Sequence, residues 1–445
     1  MGDDLNSKMI LSASITGLGQ HFGAWMARRG DASDYVTPEV YLDIARTAEA
    51  AKLHNLFFAD GISLADGGTS RPAPALDPIL ILALMAAVTE RIGLVATAST
   101  TYSAPYTLAR AFGSLDHLSR GRAAWNCVST FLPATAAQFG GSQLPDHHTR
   151  YARAEEFIQV VMKLWDSWED GALVGDAKTA MFAHPDRVHE INHSGEHFKV
   201  AGPLPFPRGP QGRPLIFQAG ASAEGMDLAA KYADVVFTAQ HMIDDATRFR
   251  EEMRARAAQF GRELKVLPGF LVHLGATEAE ARARRSALDD ALGLDADLDR
   301  ISKRTGIPLE QLELDKPFPA HLVGPDEEFQ GSVGFRRTLV NLAEKKNLTV
   351  RELIVQYGTG HHCIVGTAEQ VADDMEEWFR AGAADGFNLM VDMLPSGVHD
   401  IKDLLVPELQ RRGLFHTEYE HETLRDNFGL APPSTTIAHP VTTAA

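Results

Sequence analysis

Three neighbouring segments decide the fold: Gly93-Leu-Val-Ala-Thr97, Pro105-Tyr-Thr-Leu-Ala-Arg-Ala-Phe-Gly-Ser-Leu-Asp-His-Leu118 and Ala123-Ala-Trp-Asn-Cys-Val128. The first and third are short and apolar on both faces, as a parallel strand buried between two layers must be. The middle segment is amphipathic and opens on proline, whose fixed φ suits a first helical turn. Together they read as strand, helix, strand. The same alternation runs outward in both directions. Strand-like runs recur at Met9–Ser14, Leu56–Ala59, Leu215–Ala219, Val235–Thr238, Val266–Leu274 and Phe387–Val391. Helical patterns lie at Pro38–Lys52, Pro78–Thr89, Ala152–Trp168, Ala223–Lys231, Asp244–Phe260 and Ala368–Ala381. Eight strands with intervening helices point to an α/β fold, a (β/α)8 TIM barrel. A doubly wound sheet is the alternative topology.

Length alone suggests roughly three domains for 445 residues, yet one barrel with insertions runs to over about 400 residues. Two stretches break the alternation. Residues 171–213 are rich in His, Pro and Gly, and residues 278–362 are charged and helical. The expected organisation is therefore one barrel domain over residues 1–430, with insertions at those two places and a C-terminal extension. Residues 431–445, mostly Pro, Thr and Ala, read as a disordered tail.

Composition narrows the function. Lys and Arg number 42 against 59 Asp and Glu, a net charge of −17, and a field of that sign repels phosphate backbones, so no nucleic-acid partner is expected. Two cysteines, Cys127 and Cys363, make no disulfide framework or cysteine-rich metal site. The longest apolar run, Ile79–Val88, is too short for a bilayer, and Met1–Lys8 is too polar for a signal peptide. A cytoplasmic enzyme with no membrane partner is the expectation.

In a barrel, chemistry sits where strands end and loops begin. The polar residues at those places are His21, Asp60, Thr97 with Ser99, Asn126 with Ser129, Ser222, and Gln240 with His241. This ring holds many hydrogen-bonding groups and no dense carboxylate cluster, which suits a large polar cofactor better than acid–base hydrolysis. Gly17-Leu-Gly19-Gln-His-Phe22 tempts a dinucleotide reading, but Phe22 stands where the third glycine is needed. Ser222 precedes a helix, so it either caps that helix or binds an anion there, and the two roles are compatible. His147 and Tyr151 are four residues apart and share a face if their helix begins early. A buried amide at Asn126 needs partners, whether ligand or backbone. His184, His189, His193 and His197 match no strong ligand spacing, so no metal is expected. His361-His362-Cys363 reads as a loop entering the core, and Cys127 as inert core.

A longer series of motifs now becomes legible: Phe57-Phe-Ala-Asp60, Ala98-Ser-Thr-Thr-Tyr102, Gly121-Arg-Ala-Ala-Trp-Asn126 and His147-His-Thr-Arg-Tyr151. Ser194-Gly-Glu-His-Phe198, Phe217-Gln-Ala-Gly-Ala-Ser222, Asp385-Gly-Phe387 and Val406-Pro-Glu-Leu-Gln-Arg-Arg-Gly-Leu414 continue it. In this order the series resembles the nitrilotriacetate monooxygenase component A family, a branch of the bacterial-luciferase-like flavin monooxygenases. That family also includes dibenzothiophene sulfone and long-chain alkane monooxygenases. The resemblance implies a two-component monooxygenase with reduced FMN as a diffusible co-substrate, supplied by a separate NAD(P)H:flavin reductase. It implies O2 and a small organic substrate, hydroxylated or cleaved at a C–N, C–S or C–halogen bond, as in xenobiotic degradation. A homo-oligomer, dimer or tetramer, is implied as well.

By motif position, Asp60, Thr97, Asn126, His147, Tyr151 and Ser222 are carried over as flavin contacts. Asn126, Ser129 and His21 would stand at the reacting centre, and Phe57, His361 and His362 would line the substrate side. The motif falls short of the family pattern at Ala221, where a serine is usual. A deazaflavin-dependent oxidoreductase or a non-catalytic flavin-binding barrel is the alternative.

Overall fold

The computed structural model describes residues 8–64, 72, 76–130, 133–141, 146–220, 222–329 and 333–433. Nine parallel strands form its main sheet: β1 (Ile10–Ile15), β2 (Asn55–Phe58), β3 (Gly93–Ser99), β4 (Ala123–Val128), β5 (Leu215–Ala219), β6 (Val235–Thr238), β7 (Lys265–Leu274), β8 (His362–Gly366) and β9 (Gly386–Val391). Eight of them close into a ring, β1 through β7 in order and then β9, which pairs back onto β1. All eight expected runs are barrel strands, and the doubly wound alternative is excluded by that closure.

Side-chain alternation separates two cores. Leu56, Leu94, Ala96, Ala123, Trp125 and Ile216 pack outward under the helices. Phe57, Val95, Ala124, Phe217, Val235 and Leu267 belong to the cluster that fills the interior. Pro38–Ala50, Pro78–Ala86 and Pro105–Leu118 each begin on their proline. The helix expected from Ala152 starts at His147 instead, because Asp146 caps it by accepting a hydrogen bond from Thr149 N at 3.0 Å. That early start puts His147 and Tyr151 on one face.

Within residues 171–213, Leu173–Asp176 pairs with Met181–Ala183 and His193–Ser194 pairs with Lys199–Val200 as small antiparallel ladders. Residues 278–362 hold the helices Glu278–Leu292, Leu294–Thr305, Val333–Lys346 and Val350–Tyr357. Ile301, Leu339, Leu342, Leu353 and Tyr357 give this region a core of its own. The stretch expected as a loop at His361-His362-Cys363 runs instead into β8. The reason is the length of β7: its first four residues pair with β6, and Phe270–Leu274 extend beyond, offering an edge that β8 covers.

The C-terminal extension closes the other end of the barrel. Leu424, Phe428 and Leu430 join the interior cluster at the strand starts, with Ile10, Val95 and Leu215. Gly93 makes room, since a Cβ there would lie 2.3 Å from Leu424 Cδ1. Arg425 anchors the plug, donating to both carboxylate oxygens of Asp234 at 3.3 and 3.2 Å. Of the expected disordered tail, Ala431–Pro433 are described, and Pro433 O accepts from Arg208 Nη2 at 3.0 Å. Residues 434–445 lie outside the described residues. Truncating Phe428, which is 2 % exposed, should destabilise the protein by about 3–5 kcal/mol, the range for a large-to-small change in a core. Urea denaturation of Phe428→Ala measures this, and a change under about 0.5 kcal/mol, the size of an ordinary surface effect, would refute the plug.

Candidate functional site

The site lies at the strand ends, opposite the plug. Thr97 on β3 and Asn126 on β4 are register partners, both buried, and Asn126 Nδ2 donates to Thr97 Oγ1 at 2.9 Å. Asn126 Oδ1 has no partner although it is shielded from solvent. A buried amide oxygen without a donor is rare and costs about 1–3 kcal/mol, so it marks a place for a donor that a ligand brings. Ser129 follows the end of β4, partly buried. Beside it Ser99 Oγ and Thr130 Oγ1 lie 2.7 Å apart.

A second group gathers at the helix Ala223–Tyr232. Ser222 caps that helix, accepting from Gly225 N at 3.1 Å. Tyr151 Oη stands 3.3 Å from Ser222 Oγ, and the His147 ring lies 4.7 Å from the Tyr151 ring. The helix N-terminus presents unsatisfied N–H groups to this spot, a general setting for an anion. Glu224 in the same first turn is half-exposed and stands 3.8 Å from His147 Nδ1. The capping role expected of Ser222 is therefore present, and it is compatible with an anion at the same helix end. Ala221, the motif's departure, lies outside the described residues.

The remaining candidates do not converge on one point. Phe57 is interior core, packed on Phe217 and Phe237 at ring separations of 6.1 and 5.6 Å. His21 is buried in the loop after β1 with both ring nitrogens engaged: Nδ1 accepts from Gly23 N at 3.1 Å, and Nε2 lies 3.0 Å from Asp289 Oδ1. Burial holds its pKa below the ordinary value despite the Asp289 contact. Asp60, two residues past β2, has its carboxyl pushed up to about 6 by burial and by nearby Asp77.

His361 and His362 point in different directions, as successive strand-end residues do. The His361 ring sits against Phe237 at 5.4 Å and Phe335 at 5.8 Å, and its Nδ1 is buried without a partner. Burial and Arg304 hold its pKa down to about 3, so it is neutral. Gly269 on β7 is what admits the ring, because a Cβ there would stand 2.4 Å from His361 Nδ1. His362 faces the outer layer instead. It packs on Phe270 and Trp378, and its Nε2 meets Asp374 at 3.0 Å.

Sequence reasoning missed Asn388 and Gly269. Asn388 is 1 % exposed, with neither amide atom partnered, and register places it beside Ser12, whose Oγ accepts from Asn55 Nδ2 at 2.7 Å. The signal was available: an amide in the middle of the apolar run Phe387–Val391. Among the described residues, no three His, Cys, Asp or Glu side chains meet as a metal site, and no helix is long and apolar enough to cross a membrane.

Comparison with known proteins fits this geometry. Residues 21–385 match the model of the luciferase-like monooxygenase family. The chain is 44 % identical to nitrilotriacetate monooxygenase component A of Aminobacter aminovorans, over 98 % of this chain and 99 % of that one. The solved EDTA monooxygenase from Chelativorans sp. BNC1 superposes with a TM-score of 0.81 at 34 % identity, covering 96 % of this chain and 99 % of its own. A riboflavin lyase solved with modified FMN and riboflavin superposes equally well, with a TM-score of 0.81 at 27 % identity over 96 % of this chain and 97 % of that one.

The raised pKa of Asp60 has a thermodynamic consequence. The folded protein holds this proton up to about pH 6, whereas an unfolded Asp releases it near pH 3.9. Stability from the protonated carboxyl is thus present below the unfolded pKa and lost as pH rises through the folded one. Asp60→Asn lacks that loss. Its stability relative to the native chain should rise between about pH 4 and pH 6 and stay level above. Urea midpoints across that range test this, and a difference independent of pH would contradict it.

Proposed function

The chain belongs to the luciferase-like monooxygenase family, and from that premise we propose that it is the oxygenating component of a two-component flavin monooxygenase, using reduced FMN and O2 on a small organic substrate. One observation carries the proposal: the buried Thr97–Asn126 pair with its free amide oxygen, set across the strand ends from the capped anion site at Ser222. Those two features suit the two ends of FMN, a polar ring edge and a phosphate.

Ser222, Tyr151 and the backbone N–H groups of the helix opening at Ala223 would hold the phosphate, and His147 would flank the flavin. Asn126 Oδ1 would accept a hydrogen bond from the ring, while Thr97 fixes the amide's orientation. When bound, reduced FMN supplies the electrons that split O2, so that one atom reaches the substrate and the other leaves as water. The protein's share is position and dryness. Phe57, Phe217 and Phe237 close the interior beneath the site, and neutral His361 offers a hydrogen-bonding wall without a charge. His362 is left out of the site, since it turns toward Asp374.

No nicotinamide fingerprint follows β1, which fits a protein that receives its flavin already reduced by a separate NAD(P)H:flavin reductase. The segment 278–362 supplies Phe335 and His361 to the mouth, and we assign it the part of a lid over the substrate. The defining experiment mixes the protein with a flavin reductase, NADH, FMN and a panel of amines, sulfur compounds and alkanes. Mass spectrometry then looks for products carrying one atom from labelled O2, and no incorporation across the panel counts against the proposal.

Two substitutions separate the halves of the site. Asn126→Ala should slow product formation by about 10- to 100-fold, the kinetic equivalent of one lost hydrogen bond, with little change in Tm. Oxidation at the native rate would remove Asn126 from the site. Ser222→Asp should weaken FMN binding by at least about tenfold through like-charge repulsion. Fluorescence titration measures that, and unchanged affinity would end the phosphate assignment.

A further inference from the structure

A second cluster of reactive groups gathers between β7, β8, the end of β9 and the helix Glu278–Leu292. Cys363 on β8 and His273 on β7 lie on adjoining strands, two residues apart in register, and His273 Nε2 stands 3.4 Å from Arg285 Nη1. His273 Nδ1 lies 3.0 Å from Asp392 Oδ2, just past the end of β9. Asp392 is itself clamped by Arg284, whose Nε and Nη2 donate to its two oxygens at 2.6 and 2.7 Å. From the helix Glu278–Leu292, Arg285 Nη1 donates to Cys363 Sγ at 3.1 Å. Arg285 Nε also bonds Asp289, which in turn meets His21. The order is thus carboxylate, imidazole, thiol, with the Arg285 guanidinium against both the imidazole and the sulfur.

We infer that Cys363, His273 and Asp392 form a thiolate–imidazolium site that reacts with small electrophiles, and that hydrogen peroxide is the class of oxidant it takes. A thiolate is the nucleophilic form of cysteine, and cations stabilise it. Here His273 and Arg285 are those cations, and Asp392 holds the imidazole in its protonated form. The reaction balances within these groups. The thiolate sulfur attacks one peroxide oxygen, the S–O bond forms and the O–O bond breaks. The leaving hydroxide takes a proton from the His273 imidazolium and departs as water. Sulfur loses two electrons and becomes sulfenic acid, and the peroxide is reduced.

The charged surroundings agree. Burial opposes charge on His273, but its bonds to Asp392 and Cys363 outweigh that and raise its pKa to about 9. Burial likewise works against the Cys363 thiolate, yet His273 and Arg285 bring the thiol below its ordinary value. The charged groups facing the cluster are His273 from β7, Arg285 and Asp289 from their helix, Asp392 and Arg284 behind, and His21 from the loop after β1. Asp297 and Arg300 on the next helix lie within electrostatic reach of Arg285. Cys127 provides a contrast within the same chain: buried in β4 with no cation on it, its thiol is pushed well up.

The inference does not depend on the oxygenase reading. Its test uses the full chain, iodoacetamide across pH 5 to 9.5, and mass mapping of both cysteines. Cys363 should alkylate with a midpoint below the 8.5 of a free cysteine, while Cys127 stays unmodified. His273→Gln and Asp392→Asn should each move that midpoint upward. Should those variants fail to fold, thiolate absorbance at 240 nm in the native chain minus Cys363→Ser reads the same midpoint without them. Peroxide treatment followed by dimedone should label Cys363 in the native chain and leave Cys363→Ser unlabelled. A midpoint near or above 8.5, no alkylation of Cys363, no dimedone label, or a midpoint unmoved in folded His273→Gln would overturn the assignment.

Discussion

Strand β7 is the constraint on which the rest depends. It is ten residues long, and among the described strands no other serves as many neighbours. One edge pairs with β9 and closes the ring. The other edge is divided, four residues to β6 and five to β8. A parallel barrel tolerates no open edge, because unpaired backbone groups would be buried without partners. The extra length therefore has to be covered, and covering it brings β8 to the mouth. Gly269, His273, His361 and Cys363 are near one another for that reason alone. The helical segment 278–362 connects those two strands, so its own core is held against the rim by the same pairing.

The barrel itself was legible because its signals are local. Strands buried on both faces read as continuous apolar runs, and proline marks the start of three helices. The spacing of His147 and Tyr151 was also legible once Asp146 is seen as a cap. What escaped was whatever depends on partners distant in sequence. Strand β8 begins with a histidine and a cysteine directly after His361, and only the overhang of β7 makes it a strand. Which way His361 and His362 turn is fixed by strand parity, which a pair of adjacent identical residues cannot reveal. The plug by Leu424, Phe428 and Leu430 left no local mark, since an amphipathic scrap at a chain's end resembles a surface helix. Asn388 was visible as an anomaly in an apolar run, but an anomaly without a partner has no meaning until Ser12 and Asn55 stand beside it.

Charge is arranged against the average. The chain carries −17 overall, yet an anion site at Ser222 needs little from that field. Helix N–H groups and hydroxyls act within a few ångströms, whereas distant surface carboxylates are screened beyond about 8–10 Å. The buried cations Arg285, Arg213 and Arg425 and the half-buried Arg284 are each tied to a carboxylate, so they fix the frame. Among the groups left unsatisfied, Asn126 Oδ1, His361 Nδ1 and the Asn388 amide are neutral. Neutral orphans can bind and release a ligand without the large desolvation swing of an unpaired charge.

The plug at the strand starts has a kinetic meaning. A barrel packed through its interior and covered at its floor is loaded and emptied at its rim. Flavin, oxygen, substrate and products would then share one port, and their traffic becomes a queue. A bulky flavin seated in the throat decides whether anything deeper can leave, so the sequence of arrivals would fix the sequence of departures. Order of binding in such a protein is a property of its plumbing as much as of its affinities.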